Sequence, residues 1–184
     1  MTMSIIEPDP NILASRRAWR YTGSQRPDFA DVPEAGQESV WDYPRPPRQE
    51  PVEGRVVVRD GDSVIAETTR ALRVLETAGA PTVYIPPEDV VEGSILPGDV
   101  TSVCEWKGLA QTLHRPDRPD VGWRYVSVFP EFANLLNWPS FYPGRLACWL
   151  NDERVQPQPG GYYGGWVTAN LVGPIKGAPG SSGW

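Results

Sequence analysis

The chain has 184 residues, a net charge of −6, a hydrophobic fraction of 40% and eight tryptophans. That length holds one domain with a sizeable core plus an arm or tail, and the aromatic content excludes a disordered chain. The acidic balance, without a basic block or stripe, excludes a general nucleic-acid role and disfavours anionic membranes, because phosphate surfaces are held by lysine and arginine. A small anionic ligand needs only one or two local cations and stays open.

Twenty-one prolines and eighteen glycines cut the chain into short segments and favour β structure. Cys104 and Cys148 are the only cysteines, and no Cys-x-x-Cys pair or Cys/His cluster accompanies them. Neither a disulfide scaffold, a metal site nor a cofactor is expected. The opening stretch MTMSIIEPDPNILASRR lacks the basic-then-apolar pattern of a secretory signal. No apolar run approaches the roughly 20 residues of a membrane helix. A soluble, cytoplasmic protein with no membrane role is expected.

Residues 1–52 read as an arm. PNILASRRAWRYTG predicts a short helix ending by Gly23, and RPDFADVPEAGQESVWDYPRPPRQEP is too rich in proline for helix or central strand. Trp41 and Tyr43 beside Pro44, Pro46 and Pro47 give an extended segment with aromatic anchors. Such a segment straps its own domain or binds a partner.

Residues 53–156 carry the predicted core. RVVVRDGDSVIAET reads as two strands around an Asp60-Gly61 turn. Residues 70–76 and TVYI read as strands, and PPEDVVEGSILPGD as a loop opening with one helical turn at Pro87-Glu88-Asp89. VTSVCEW and GLAQTLHR predict paired strands with a break at Lys107-Gly108. RPDRPD reads as a loop, GWRYVSVF as a strand and PEFANLLNW as a helix, with Pro130 in its first turn. LACWLNDERV closes with a hairpin around Asn151-Asp152-Glu153. Residues 157–184 form a glycine- and aromatic-rich tail expected to dock on the core, with WVTANLVG ordered and the end frayed.

The stretches ALRVLET, PTVYIPPEDV, CEWKG, GWRY, FYPGR and DERV, in this order, resemble a bacterial family, domain-of-unknown-function family 427, over about residues 53–156. The flanks WRYTGSQRP, GQESVWDYPRPP and GGYYGGW…PGSSGW resemble a longer subgroup of it. The resemblance implies a mainly β domain. It would be a compact two-sheet, tent-like or partly open barrel with one or two short helices, and without an assigned reaction. Some relatives of that architecture hold zinc through paired cysteines, which this chain lacks.

Of seventeen basic residues only Lys107 and Lys176 are lysine. In strand geometry Cys104 and Trp106 would share one face of TSVCEWK, with Glu105 and Lys107 on the other, and Gly108 would permit a bend or a close approach. Lys107 there could hold a phosphate or carboxylate, or act as a nucleophile if desolvated; it could equally pair with Glu76 or Glu105. Glu76, ending an apolar strand, reads as a general base or as part of a capped turn with Thr77. Tyr84 reads as a hydroxyl donor or a core tyrosine, and Asp89 as a ligand group or a loop cap. Arg70, Arg73 and Arg145 are the anion-binding candidates, with Tyr142 positioned to flank a planar ligand beside Arg145.

The leading expectation is a small polar or anionic ligand held by Arg70, Glu76, Tyr84, Asp89, Trp106, Lys107, Tyr142 and Arg145. Glu76, Lys107 and Cys104 are the candidates for any chemistry. A homodimer or interaction module built on the arms is the competing reading. A cysteine-dependent redox enzyme, with Cys104 near His114, is a third.

Overall fold

The computed structural model describes residues 2–184. The arm opens with β1 (Ser4–Ile5) and α1 (Pro10–Arg17). Asp9 caps α1 by accepting from the backbone N–H groups of Asn11 and Ile12, and Pro10 occupies the first turn, where its missing N–H is not needed. β2 (Glu38–Ser39) and β3 (Arg48–Pro51) complete the arm. The core follows as β4 (Val56–Asp60), β5 (Ser63–Thr68), β6 (Leu72–Leu75) and β7 (Thr82–Tyr84). Next come β8 (Leu96–Cys104), β9 (Gly108–Arg115), β10 (Arg118–Val128), β11 (Pro139–Phe141), β12 (Ala147–Leu150) and β13 (Glu153–Arg154). The tail adds β14 (Gln156–Pro157), β15 (Trp166–Val167) and β16 (Leu171–Val172).

The large sheet runs β3-β6-β7-β11-β10-β9-β8, with β1 joined parallel to the end of β10. The small sheet runs β13-β12-β4-β5, and the tail forms the two-stranded ribbons β14-β15 and β16-β2. Neither main sheet closes on itself, so the molecule is a mainly β, multi-sheet domain rather than a closed barrel.

Strand alternation decides what each face of the large sheet does. Val83, Val121 and Phe141 point toward the small sheet, where they meet Val56, Val58, Ile65 and Cys148 in a dry layer sealed by Trp166. Tyr84, next to Val83, and Tyr125 point the opposite way, into a second cluster with Val74, Ala110, Trp106 and Phe132, while the irregular start of β10 turns Val121 to the dry side. A third cluster joins arm to tail around Val40, Trp41 and Leu75. Trp41 is fully buried. Removing a tryptophan from water contributes about 4–6 kcal/mol of transfer free energy, so the arm is held as a strap on its own domain.

Three local expectations are corrected. RPDRPD is not an open loop: β9 ends at Arg115 and β10 begins at Arg118, with irregular register between Arg118 and Gly122 where Asp120 takes φ +51°. That irregularity accommodates Pro119, which cannot donate to the ladder. Pro130–Leu135 is a 3-10 segment kinked at Phe132, not an α-helix; the three-residue period puts both buried side chains, Phe132 and Leu135, on one side. The chain's last residue is not frayed, because Trp184 stacks on Phe29 at 5.2 Å and meets Trp41 at 5.3 Å.

Candidate functional site

The face of the large sheet turned away from the dry layer is hollowed into a cavity of about 480 Å³. Alternate residues of successive strands form its floor: Thr82 and Tyr84 from β7, Trp123 and Tyr125 from β10, Ala110 and Thr112 from β9, and Ser102 and Cys104 from β8. Val74 of β6 and the following Glu76 continue that row.

The expected hairpin of β8 and β9 forms, but the strand does not continue through Trp106. Cys104 pairs with Gly108 in the ladder, and residues 105–107 make the connecting turn. The turn overrides two-residue alternation, so Cys104, Glu105 and Lys107 all reach the cavity while Trp106 does not. Trp106 packs instead in the cluster behind, where the Arg16 guanidinium lies 5.3 Å from its ring. Gly108 takes φ +121°, and a Cβ there would collide with the backbone oxygen of Ser127. Glycine is therefore required for β9 to close on β10 directly behind Lys107.

Lys107 is 7% exposed, and its Nζ lies 3.7 Å from Glu76 Oε2. The other oxygen of Glu76 is 3.3 Å from Arg45 Nη2. One carboxylate thus serves two buried cations. Arg45 also donates to the backbone oxygens of Tyr21 and Thr77, at 2.9 and 3.0 Å, while its Nε has no partner. Burial pulls the Lys107 ammonium down, but Cys104, Tyr84 and Glu76 outweigh it and hold the pKa above the ordinary lysine value. The Glu76 carboxylate and the Cys104 thiol are the polar neighbours of the Lys107 ammonium.

Beside it, the Tyr84 hydroxyl is fully buried and has no hydrogen-bond partner. Burial pushes the Tyr84 phenol up, against the opposing pull of Lys107, which keeps it a neutral donor near pH 7. Burial likewise raises Tyr125. A buried hydroxyl without a partner costs about 1–3 kcal/mol. This floor therefore presents a cation and a phenolic donor in one cavity.

The mouth is aromatic. Trp123 and Tyr142 are tilted against each other at 4.7 Å, and the Arg145 guanidinium covers Tyr142 at 4.6 Å, so these two expected residues do stand together at the cavity. Arg145 also donates to the backbone oxygen of Asp120.

Other sequence candidates are elsewhere. Arg70 and Asp89 form their own ion pair at 2.7 Å, and Asp89 also accepts from Thr68 at 2.6 Å. Both lie outside the cavity, satisfied by each other, and the expectation that they join the ligand site is corrected. Arg73 is likewise committed to Glu38 and Glu50. Cys104 and His114 occupy opposite ends of the β8-β9 hairpin: His114 pairs with Leu96, and its Nδ1 accepts from Asp120 N at 3.0 Å. That separation removes the Cys/His arrangement. Among the described residues no group of three or more His, Cys, Asp or Glu side chains is gathered to hold a metal, and no helix is long and apolar enough to cross a membrane.

A family model described as a domain of unknown function (DUF427) matches residues 48–152. The chain belongs to this family. No curated protein matches it. The family segment supplies Glu76, Tyr84, Cys104, Lys107, Trp123, Tyr125, Tyr142 and Arg145, whereas the flanks supply Trp19, Arg45, Tyr163 and Lys176 to the same cavity. Sequence reasoning missed Trp19, Arg45, Trp123, Tyr125, Tyr163 and Lys176. Trp123 and Tyr125 carried a readable signal, since two aromatics spaced by two in GWRYV share a strand face. Arg45, hidden among prolines, carried none. The tail reaches the cavity by close packing: a Cβ on Gly164 would collide with the Trp123 ring.

Proposed function

We propose that this DUF427 domain binds a small, planar, polar molecule carrying an anionic group, with that group seated between Lys107 and Tyr84. The observation that carries this reading is the buried Lys107 ammonium together with the unpartnered Tyr84 hydroxyl on the floor of a cavity of about 480 Å³. Cavities of this size suit small ligands, with a few placed polar groups fixing orientation. Trp123 and Tyr142 supply flat surfaces for a ring. Two unpaired thiols, Cys104 and Cys148, suit a protein of the reducing cytoplasm.

Thermal-shift screening of organic acids tests this with wild type, Lys107→Ala and Glu76→Ala. At a hundredfold excess over Kd, a planar acid is expected to raise the wild-type Tm by about 5–10 °C. The shift is lost in Lys107→Ala and kept in Glu76→Ala. Absence of any stabilising acid, or equal shifts in wild type and Lys107→Ala, removes the reading.

A further inference from the structure

Both lysines of the chain, 7% and 5% exposed, line the same cavity, one at each end of a continuous chain of contacts. Lys107 meets Glu76, Glu76 meets Arg45, the Arg45 guanidinium lies 4.1 Å from the Trp19 ring, and Lys176 Nζ lies 4.1 Å from the same ring. The two amines are in different electrostatic settings. Lys107 has a carboxylate beside it. Lys176 shares its aromatic partner with a guanidinium that cannot lose its proton. Burial first, and Arg45 second, pull the Lys176 pKa below the ordinary lysine value, against weaker support from Glu76 and Glu105. Nζ donates to a main-chain oxygen of Trp184 at 2.8 Å, which orients the amine, and the Tyr163 ring lies 5.5 Å away.

We propose that Lys176 is a reactive amine that forms an imine with a carbonyl group of the bound ligand, the ligand's acid being anchored across the cavity by Lys107. The class this selects is a planar aldehyde or ketone with an anionic group at its far end. This rests on the anion-binding reading above. In the step, the Lys176 nitrogen adds to the carbonyl carbon. The carbonyl oxygen leaves as water with the two amine protons, and a carbon–nitrogen double bond replaces the carbon–oxygen one. No oxidant or reductant takes part. Arginine cannot perform this step, which gives a chemical reason for lysine at the cavity's flank end.

The chain's two lysines make the test direct. The full-length protein is incubated with 4-formylbenzoate, whose aldehyde and carboxylate lie across one ring, and the imine is trapped with cyanoborohydride. Peptide mass mapping then locates the adduct. The expected result is labelling at Lys176, absent in Lys176→Arg. Benzaldehyde, which lacks the acid, and the Lys107→Met variant should each label at least about tenfold more slowly. Competition by benzoate should slow wild-type labelling. An adduct on Lys107, no adduct, or benzaldehyde reacting as fast as 4-formylbenzoate overturns the proposal. Should benzoate still raise the wild-type Tm while Lys176 stays unlabelled, the imine falls and the anion site stands. Loss of both signals removes both.

Discussion

The two faces of the large sheet are built from the same strands by the same alternation, yet they are finished differently. Toward the small sheet, Val83, Val121 and Phe141 bury hydrocarbon, and the indole N–H of Trp166 is satisfied by the Phe141 carbonyl at 3.0 Å. On the other face Tyr84 buries a hydroxyl that has no partner, and Lys107 buries a charge beside a carboxylate that it shares with Arg45. The first face gains stability wherever it touches. The second gives some away, since desolvating each ion costs several kcal/mol that one shared carboxylate repays only in part. Polar groups left in that condition beside an open cavity are arranged for something other than folding.

Truncating the dry face breaks the comparison most severely. Phe141→Ala should lower stability by about 3–5 kcal/mol, read as a lower denaturant midpoint with unchanged slope. Among variants that still fold, the response to planar acids should be unaltered. Glu76→Gln comes next. It leaves Lys107 and Arg45 without their carboxylate, and because Glu76 is 27% exposed on its side chain, water softens the loss to about 1–3 kcal/mol. Acid binding should strengthen in that variant. Tyr84→Phe sharpens the contrast from the opposite side: deleting an unpartnered hydroxyl should leave stability equal or raise it by about 1 kcal/mol, while weakening acid binding in calorimetry.

The smallest effect belongs outside both faces. Arg70 and Thr68 hold the Asp89 carboxyl below its ordinary value of 3.8. A depressed carboxylate contributes stability that is present above the unfolded value and lost as pH falls through the folded one. Asp89→Asn should therefore lower stability slightly above about pH 4, flatten the acid limb below it, and leave the cavity untouched.

Much of the framework was legible because its signals are local. Asp60-Gly61 marked the β4-β5 hairpin, TVY alternated as a strand must, and Asp9-Pro10 fits a helix start although only the helix itself was expected. The Glu76–Lys107 encounter was also foreseeable, as an acid and a base each ending an apolar strand. Trp106 was misplaced because a turn at residues 105–107 replaces the alternation that its assignment assumed. Arg70 and Asp89 were misplaced because each can satisfy the other, nineteen residues apart, and pair periodicity does not encode that. Trp19, Arg45 and Lys176 were invisible for a more general reason. They come from opposite ends of the chain, and only the tertiary packing around Trp41 and Trp166 brings both ends over one cavity.

Calorimetric titration of the full-length protein with benzoate, in wild type and in Lys107→Met, addresses the central idea most directly. Methionine keeps an unbranched side chain one atom shorter and removes the ammonium with its charge and donors. Saturable one-to-one binding by wild type, weakened about tenfold or more in the variant, is the predicted outcome. Equal affinity in both proteins, or a wild type that binds no planar acid, would contradict the claim that the Lys107–Tyr84 floor is an anion seat.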